Sequence, residues 1–213
     1  AGIMGAFGAG LIARNKYLLY KTFEYDDLVP SISTYLSGEV PITLLPAIAK
    51  PYNGRSSEGV LRISNVKELE EVSSKSGYIF QEIIEGPVFT VDYIRNSYTD
   101  KDFSIVREEL LRTKNGAGTT VRMSNDMSLK RLVSHIGNMI QVNGCINMEF
   151  IQSKGKYYLI DINPRFSAGV AFSHMAGYNM VLNHLNCFIV QDIQAPVLYQ
   201  EQIITKRYRE EIL

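Results

Sequence analysis

Residues 147–169 read NMEFIQSKGKYYLIDINPRFSAG, and this stretch carries the most information in the chain. Two runs of alternating apolar and polar residues, INMEFIQ and KYYLIDIN, are joined by Ser153-Lys154-Gly155-Lys156. Successive side chains of a strand point to opposite faces, so Asp161 and Asn163 share one face. A connection this short makes the two strands antiparallel neighbours, which lets Glu149 come opposite that pair. Two carboxylates and a carboxamide oxygen converging on one face form a hard-oxygen site suited to Mg²⁺. Asn163-Pro164 then ends the strand and leaves Arg165 beside the oxygens, where a guanidinium can brace phosphate. The competing reading is a solvated hairpin face with a turn-forming Asn-Pro.

Working outward, residues 127–141 form an amphipathic helix with Leu129, Leu132, Val133, Ile136 and Ile140 on one face. Residues 102–113 read as a strand, followed by a mobile turn, TKNGAGT. YIFQEII and VFTVDYIR are two more strands, separated by Glu85-Gly86-Pro87. Before them, Ser64 or Asn65 can cap the helix VKELEEVSSK. PAIAKP and VLRIS read as a strand pair around YNGRSSEG. Residues 16–28 carry a helical pattern that stops before Val29-Pro30, and Ile32, Thr34 and Tyr35 form a short strand. Beyond Pro164, residues 170–190 predict one helix or a pair. Strands in adjacent runs with helices between them indicate α+β rather than a doubly wound parallel sheet.

The chain has 213 residues, 46% hydrophobic, with 22 basic and 22 acidic side chains. That balance argues against nucleic acid or an anionic membrane surface as the main partner. No apolar run approaches the roughly 20 residues that span a bilayer. Cys145 and Cys187 lack metal-ligand spacing and read as buried free thiols, which fits a cytoplasmic location.

A second segment bears on chemistry. Lys50 ends an apolar strand, where a lysine is awkward unless it meets an anion. The loop after it offers Asn53, Gly54, Ser56, Ser57 and Gly59, whose backbone N–H groups and hydroxyls can cover phosphates. No lysine follows the glycine, so this is not the G-x-x-x-x-G-K-[ST] loop, and an ordinary hairpin is the plainer reading.

Taken in order, Lys50-Pro51-Tyr52-Asn53-Gly54, FQEIIEG at 80–86, and NMEF with LIDINPRFSAG resemble the ATP-grasp superfamily. The likeness is to the carbamoyl-phosphate synthetase large chain and related carboxylate–amine ligases, and it covers roughly residues 15–190. It implies two α+β subdomains with mainly antiparallel sheets enclosing ATP, here 16–85 and 86–213, with 1–15 as a remnant or linker. It also implies that Lys16 and Lys50 meet nucleotide phosphates, with Ser56 and Ser57 in the covering loop. The backbone of Gln81, Glu82, Ile83 and Ile84 would face adenine. Glu149, Asp161 and Asn163 would bind Mg²⁺ or Mn²⁺, and Arg165 and Lys50 would act in catalysis. Two departures stand out. The family pair Asp-Lys reads Asn15-Lys16 here, and Val88 stands near where an acidic ribose contact is common.

The resemblance implies a carboxylate that attacks ATP to give an acylphosphate, then captured by an amine or similar nucleophile. Arg107 and Arg112 follow the hinge on one strand and are candidates to grip the substrate carboxylate or acylphosphate; exposed strand-end arginines are the other reading. His135, His174 and His184 read as structural. Relatives usually carry a preceding domain on the substrate side, which leads us to expect a fragment, a split enzyme with a partner subunit, or a homodimer. The rival to a ligase is a nucleotide-binding regulatory module without turnover.

Overall fold

The computed structural model describes residues 10, 12–54, 58–114 and 116–207. Two antiparallel sheets organise the chain, and the crossing between them falls at residues 83–87. The first sheet holds β1 (Thr34–Leu36), β2 (Ala47–Pro51), β3 (Leu61–Ile63) and β4 (Tyr78–Glu82) in the order β1-β4-β2-β3. Helix α1 (Lys16–Phe23) precedes it, and α2 (Val66–Ser73) packs Leu69 and Val72 against Ala49, Ile63 and Phe80. Asn65 caps α2, its side-chain oxygen accepting from Glu68 N, while the Glu68 carboxylate accepts from Ser64 N. That reciprocal pair satisfies two otherwise orphan donors.

The second sheet contains β5 (Val88–Asn96), β6 (Lys101–Arg112), β7 (Gly118–Ser124), β8 (Gly144–Ser153), β9 (Lys156–Asn163) and β10 (Ile203–Thr205). Its order is β10-β7-β6-β5-β8-β9. One face packs Phe89, Val91, Met148, Phe150 and Ile162 under α3 (Met127–Met139) and the buried side of α1. The other face carries Ile94, Ile105 and Cys145 under α4 (Val170–Met175) and α5 (Met180–Phe188), which cover only part of it. The uncovered remainder becomes a cleft wall.

The α+β architecture agrees with the alternation in the sequence, and residues 170–190 form the pair of helices. Two strands were not anticipated, β7 and β10. The helix expected over 16–28 ends at Phe23. Both cysteines are buried and unpaired with each other, and burial raises both thiols, Cys187 to about 11. Among the described residues no helix is long and apolar enough to cross a membrane.

Gly86 fixes the crossing between the sheets. A Cβ there would lie 1.9 Å from the Gln152 carbonyl oxygen, and Gln152 N donates to Pro87 O at 2.9 Å. Only a residue without a side chain lets the chain pass this close to β8.

Candidate active site

The wall of the cleft is built row by row across the second sheet. Register places Arg107 of β6 opposite Thr90 of β5, Thr90 opposite Glu149 of β8, and Glu149 opposite Asp161 of β9. The next row runs from Asp92 through Asn147 to Asn163. Partners in an antiparallel ladder share a face, so these seven side chains all project to one side. The hairpin therefore delivers Glu149, Asp161 and Asn163 to one side together.

A local irregularity is essential to this result. Phe150 pairs with Leu159, but Glu149 pairs with Asp161, leaving Ile160 as one extra residue in β9. Before this bulge Tyr157 and Leu159 point into the core, and after it Ile162 does. The extra residue moves Asp161 to the cleft side.

The first sheet and α1 supply the basic groups. Asn15 caps α1, accepting from Tyr17 N and Leu18 N at 3.0 Å, and this sets Lys16 at the first helical position. The Lys16 ammonium donates to Gly54 O at 3.1 Å and pairs with Asp161 at 3.2 Å, so one side chain ties β9 to the loop after β2. Burial pushes the Lys50 ammonium down to about 8; Asp161 opposes that fall and Lys16 adds to it. On the other wall, burial raises the Glu149 carboxyl, and Arg112, 2.8 Å away, works against that rise. Arg112 also donates to Gly116 O at 2.7 Å, which anchors the β6–β7 turn over the carboxylates.

Between the sheets lies a cleft, with Lys16, Lys50, Gly54, Glu149, Arg112 and Asp161 as its polar lining. Its apolar end is lined by Ile32, Ile48, Ile83, Ile84, Ile151 and Ile160, a slot suited to a flat aromatic base. The side chains of Gln81 and Glu82 serve the sheet: Gln81 donates to Thr34 Oγ1 and Glu82 accepts from Ser33 N. Ser56 and Ser57 lie outside the described residues.

A second cavity adjoins the carboxylates, lined among others by Thr90, Asn147, Asn163, Arg165 and Ser167. Arg165 is exposed; it donates to Phe166 O at 3.0 Å and to Asn163 Oδ1 at 3.3 Å. Arg107 is only 1% exposed, which overturns the strand-end reading for it. Its guanidinium pairs with Asp92 at 2.8 Å, donates to Ser167 Oγ at 2.9 Å and lies 3.4 Å from Glu109. Ser173 also donates to Asp92. Arg107 also lines the second cavity, and its Nε has no hydrogen-bond partner, so the guanidinium braces the cavity floor and keeps a donor in reserve. His135 bonds Asp26 and His184 accepts from Cys145 N, both structural contacts.

Thr90 and Asn147 join the site without having been singled out. The signal was available for both, since Asn147 stands two residues before Glu149, and Thr90 and Asp92 alternate with apolar residues in FTVDYI.

No cluster of three His, Cys, Asp or Glu that would hold a metal occurs among the described residues. The donors facing each other are two carboxylates and a carboxamide. Glu149 and Asp161 are now balanced by Arg112 and Lys16, so this wall already binds cations. Hard oxygens in that arrangement suit Mg²⁺, which ordinarily takes one or two carboxylates together with substrate phosphates.

A family model described as an ATP-grasp domain matches residues 13–169. No curated protein sequence matches the chain. Among solved structures, N5-carboxyaminoimidazole ribonucleotide synthetase from Thermotoga maritima aligns at TM-score 0.70 and 17% identity, over 86% of this chain and 51% of that one. The biotin carboxylase domain of Hydrogenobacter thermophilus 2-oxoglutarate carboxylase, in complex with MgADP and bicarbonate, aligns at TM-score 0.73 and 15% identity, over 86% and 47%. L-amino acid ligase from Bacillus licheniformis aligns at TM-score 0.65 and 19% identity, over 85% and 49%. At these identities the likeness is one of fold, and the chain spans about half the length of these proteins.

Proposed function

This chain belongs to the ATP-grasp family, and from that premise we propose that it uses ATP to activate a carboxylate for capture by an amine or a similar nucleophile. The observation that carries the proposal is the pairing of Glu149 with Asp161 on one wall of a cleft whose facing side presents Lys16 and Lys50. The two halves, 16–85 and 86–213, close on the nucleotide. Its base enters the isoleucine slot against the backbone of Gln81–Ile84, and its phosphates run toward the lysines. Lys50 lies in low-dielectric surroundings and meets the phosphates as a charged donor. Glu149, Asp161 and Asn163 would hold Mg²⁺ or Mn²⁺, which supplies charge neutralisation between the phosphates.

The reaction proceeds in two displacements. A substrate carboxylate oxygen attacks the γ-phosphorus, the bond to the β-bridging oxygen breaks, and ADP leaves with that electron pair. The nucleophile then attacks the acyl carbon, inorganic phosphate departs, and the amine loses its proton to solvent. No nucleophile of the protein is needed; positioning and charge stabilisation do the work. Arg165 and Arg112 reach the second cavity and stabilise the acylphosphate, while Thr90 and Asn147 shape its floor. Carbamoyl-phosphate-synthetase-like chemistry and amino-acid ligation are the two forms this reaction would take.

The test is ADP release in the presence of Mg²⁺ against a panel of amino acids and bicarbonate. Release that depends on one of these carboxylates supports the ligase. ATP binding without carboxylate-dependent ADP release across the panel would favour a nucleotide-binding module instead.

A further inference from the structure

The second cavity has two unlike ends. Glu149, Asp161 and Arg165 stand at the end formed by β8, β9 and the turn after β9, and Arg107 and Glu109 at the end formed by β6, two strands away from β8. Neighbouring strands lie about 4.8 Å apart, so long side chains reaching in from both ends leave room for a small molecule. The lining residues that lack a polar side chain are Gly116, Ala117, Gly118, Ala168 and Gly169. Among the described residues, therefore, no apolar side chain larger than a methyl group faces this cavity. Such a wall offers no surface for an aliphatic or aromatic group to bury against.

The β6 end carries an excess of negative charge. Arg107 and Glu109 are two residues apart on one strand and share its cleft face. Asp92 pairs with Arg107 at 2.8 Å, and Glu109 lies 3.4 Å from the same guanidinium. Two carboxylates thus share one cation, and neither has another ion-pair partner among the described residues. The Glu109 side chain is 3% exposed, and its Oε2 has no hydrogen-bond partner. Two glycines make room for these charges. A Cβ at Gly118 would fall 1.7 Å from Glu109 Oε2, and one at Gly169 would fall 3.0 Å from Arg107 Nη2. Both charged groups therefore pack straight against the backbone of the cavity wall.

We propose that the acid bound for activation in this cavity is a small hydrophilic amino acid, its carboxylate toward Arg165 and its ammonium toward Glu109. The inference rests on the ligase reading and narrows its substrate, with Glu109 as the specificity-determining residue. In that reading Arg165 and Arg112 make one end of the cavity positive, while Glu109 leaves the other negative, and a zwitterion matches both. A charge set behind a thin wall of low dielectric attracts a cation without touching it. Bicarbonate and simple carboxylic acids satisfy the positive end alone. Leucine or phenylalanine would press an apolar side chain against charged and amide groups, which costs their desolvation.

Calorimetry on the chain, with Mg²⁺ and a non-hydrolysable ATP analogue present, compares glycine, glycolate and acetate, which differ in carrying an ammonium, a hydroxyl or neither. Glycine should bind roughly tenfold or more tightly than the other two, with serine comparable to glycine and leucine far weaker. Glu109→Gln keeps the shape of the side chain and removes its charge. It should erase most of the preference for glycine over glycolate and leave affinity for the ATP analogue unchanged, because Glu109 does not line the nucleotide cleft. If that variant fails to fold, the series on the parent chain decides alone. Glycolate, acetate or bicarbonate binding as well as glycine overturns the proposal. So does tight binding of leucine, or no binding of glycine and serine up to about 50 mM. The ligase reading fails separately: glycine bound with this selectivity but without ADP release from ATP would uphold the amino-acid site and refute turnover, whereas ADP release driven by bicarbonate alone would uphold turnover and refute the amino-acid site.

Discussion

Replacing Lys50 by methionine should weaken ATP binding and at the same time stabilise the fold. A charge-assisted contact to phosphate contributes about 1.5–3 kcal/mol, so affinity at pH 7 should fall roughly ten- to a hundredfold. The pKa of about 8 sharpens this expectation. In the free protein the ammonium is about nine-tenths charged at pH 7 and about one-tenth at pH 9. Bound phosphate holds the proton, so wild-type affinity should drop about tenfold per pH unit above 8, while the variant shows no such slope. Stability runs the other way. The folded pKa lies below the ordinary lysine value of 10.5, so the charged form is disfavoured in the folded state. That penalty is complete below pH 8 and fades as pH rises toward 10.5. Removing it should stabilise the protein at pH 7 by up to about 3 kcal/mol and raise the thermal midpoint by several degrees. Calorimetric titration with ATP from pH 7 to 9.5 and thermal unfolding of both proteins measure the two effects. Unchanged affinity in the variant, with a flat profile in the wild type, would show that Lys50 does not meet phosphate.

Three further outcomes follow from the site. Asp161→Ala should abolish Mg²⁺-dependent ADP release while leaving circular dichroism unchanged; full turnover would remove this residue from the metal site. Because Lys16 and Arg112 already balance the two carboxylates, metal alone should bind poorly without nucleotide. Mn²⁺ titration followed by electron paramagnetic resonance should show tighter metal-only binding in Arg112→Ala, and equal binding would show that the arginine does not compete. Asp92→Ala removes the hydrogen-bonded carboxylate of the buried Arg107 and leaves Glu109, 3.4 Å away, as its counter-charge; breaking a buried pair costs up to about 3–5 kcal/mol, and a urea midpoint within error of wild type would mean that Glu109 alone neutralises the guanidinium.

The parts of this site that could be read from the sequence are those whose geometry is local. The β8–β9 hairpin has a short turn, so Glu149 coming opposite Asp161 and Asn163 follows from antiparallel pairing, whereas the bulge at Ile160 that turns them to the cleft leaves no such trace. The cap of α2 was legible as Ser64 or Asn65 because a cap acts over two or three residues, and the structure selects Asn65. What could not be read depends on distance along the chain. Lys16 and Asp161 are 145 residues apart, and Arg107 and Ser167 are 60 apart, so neither contact leaves a local trace. Arg107 stayed open between a substrate grip and a strand-end charge because burial is a property of the whole sheet and its helices. Strand β7 mixes threonines and an arginine with Val121 and Met123 beside a turn-rich segment, and β10 has three residues, too few to show a period.

The extra residue at Ile160 has a consequence for how this hairpin tolerates change. In an uninterrupted strand Asp161 would share the side of Tyr157 and Leu159, and both cleft-facing positions of β9 would be turned inward among core side chains. The bulge acts as a phase shifter: it lets one strand serve as core lining in its first half and as an ionic surface in its second. Length therefore matters here in a way that the identity of residue 160 does not. Conservative substitutions at Ile160 keep the offset, whereas removing that single residue would exchange inside for outside from Asp161 onward.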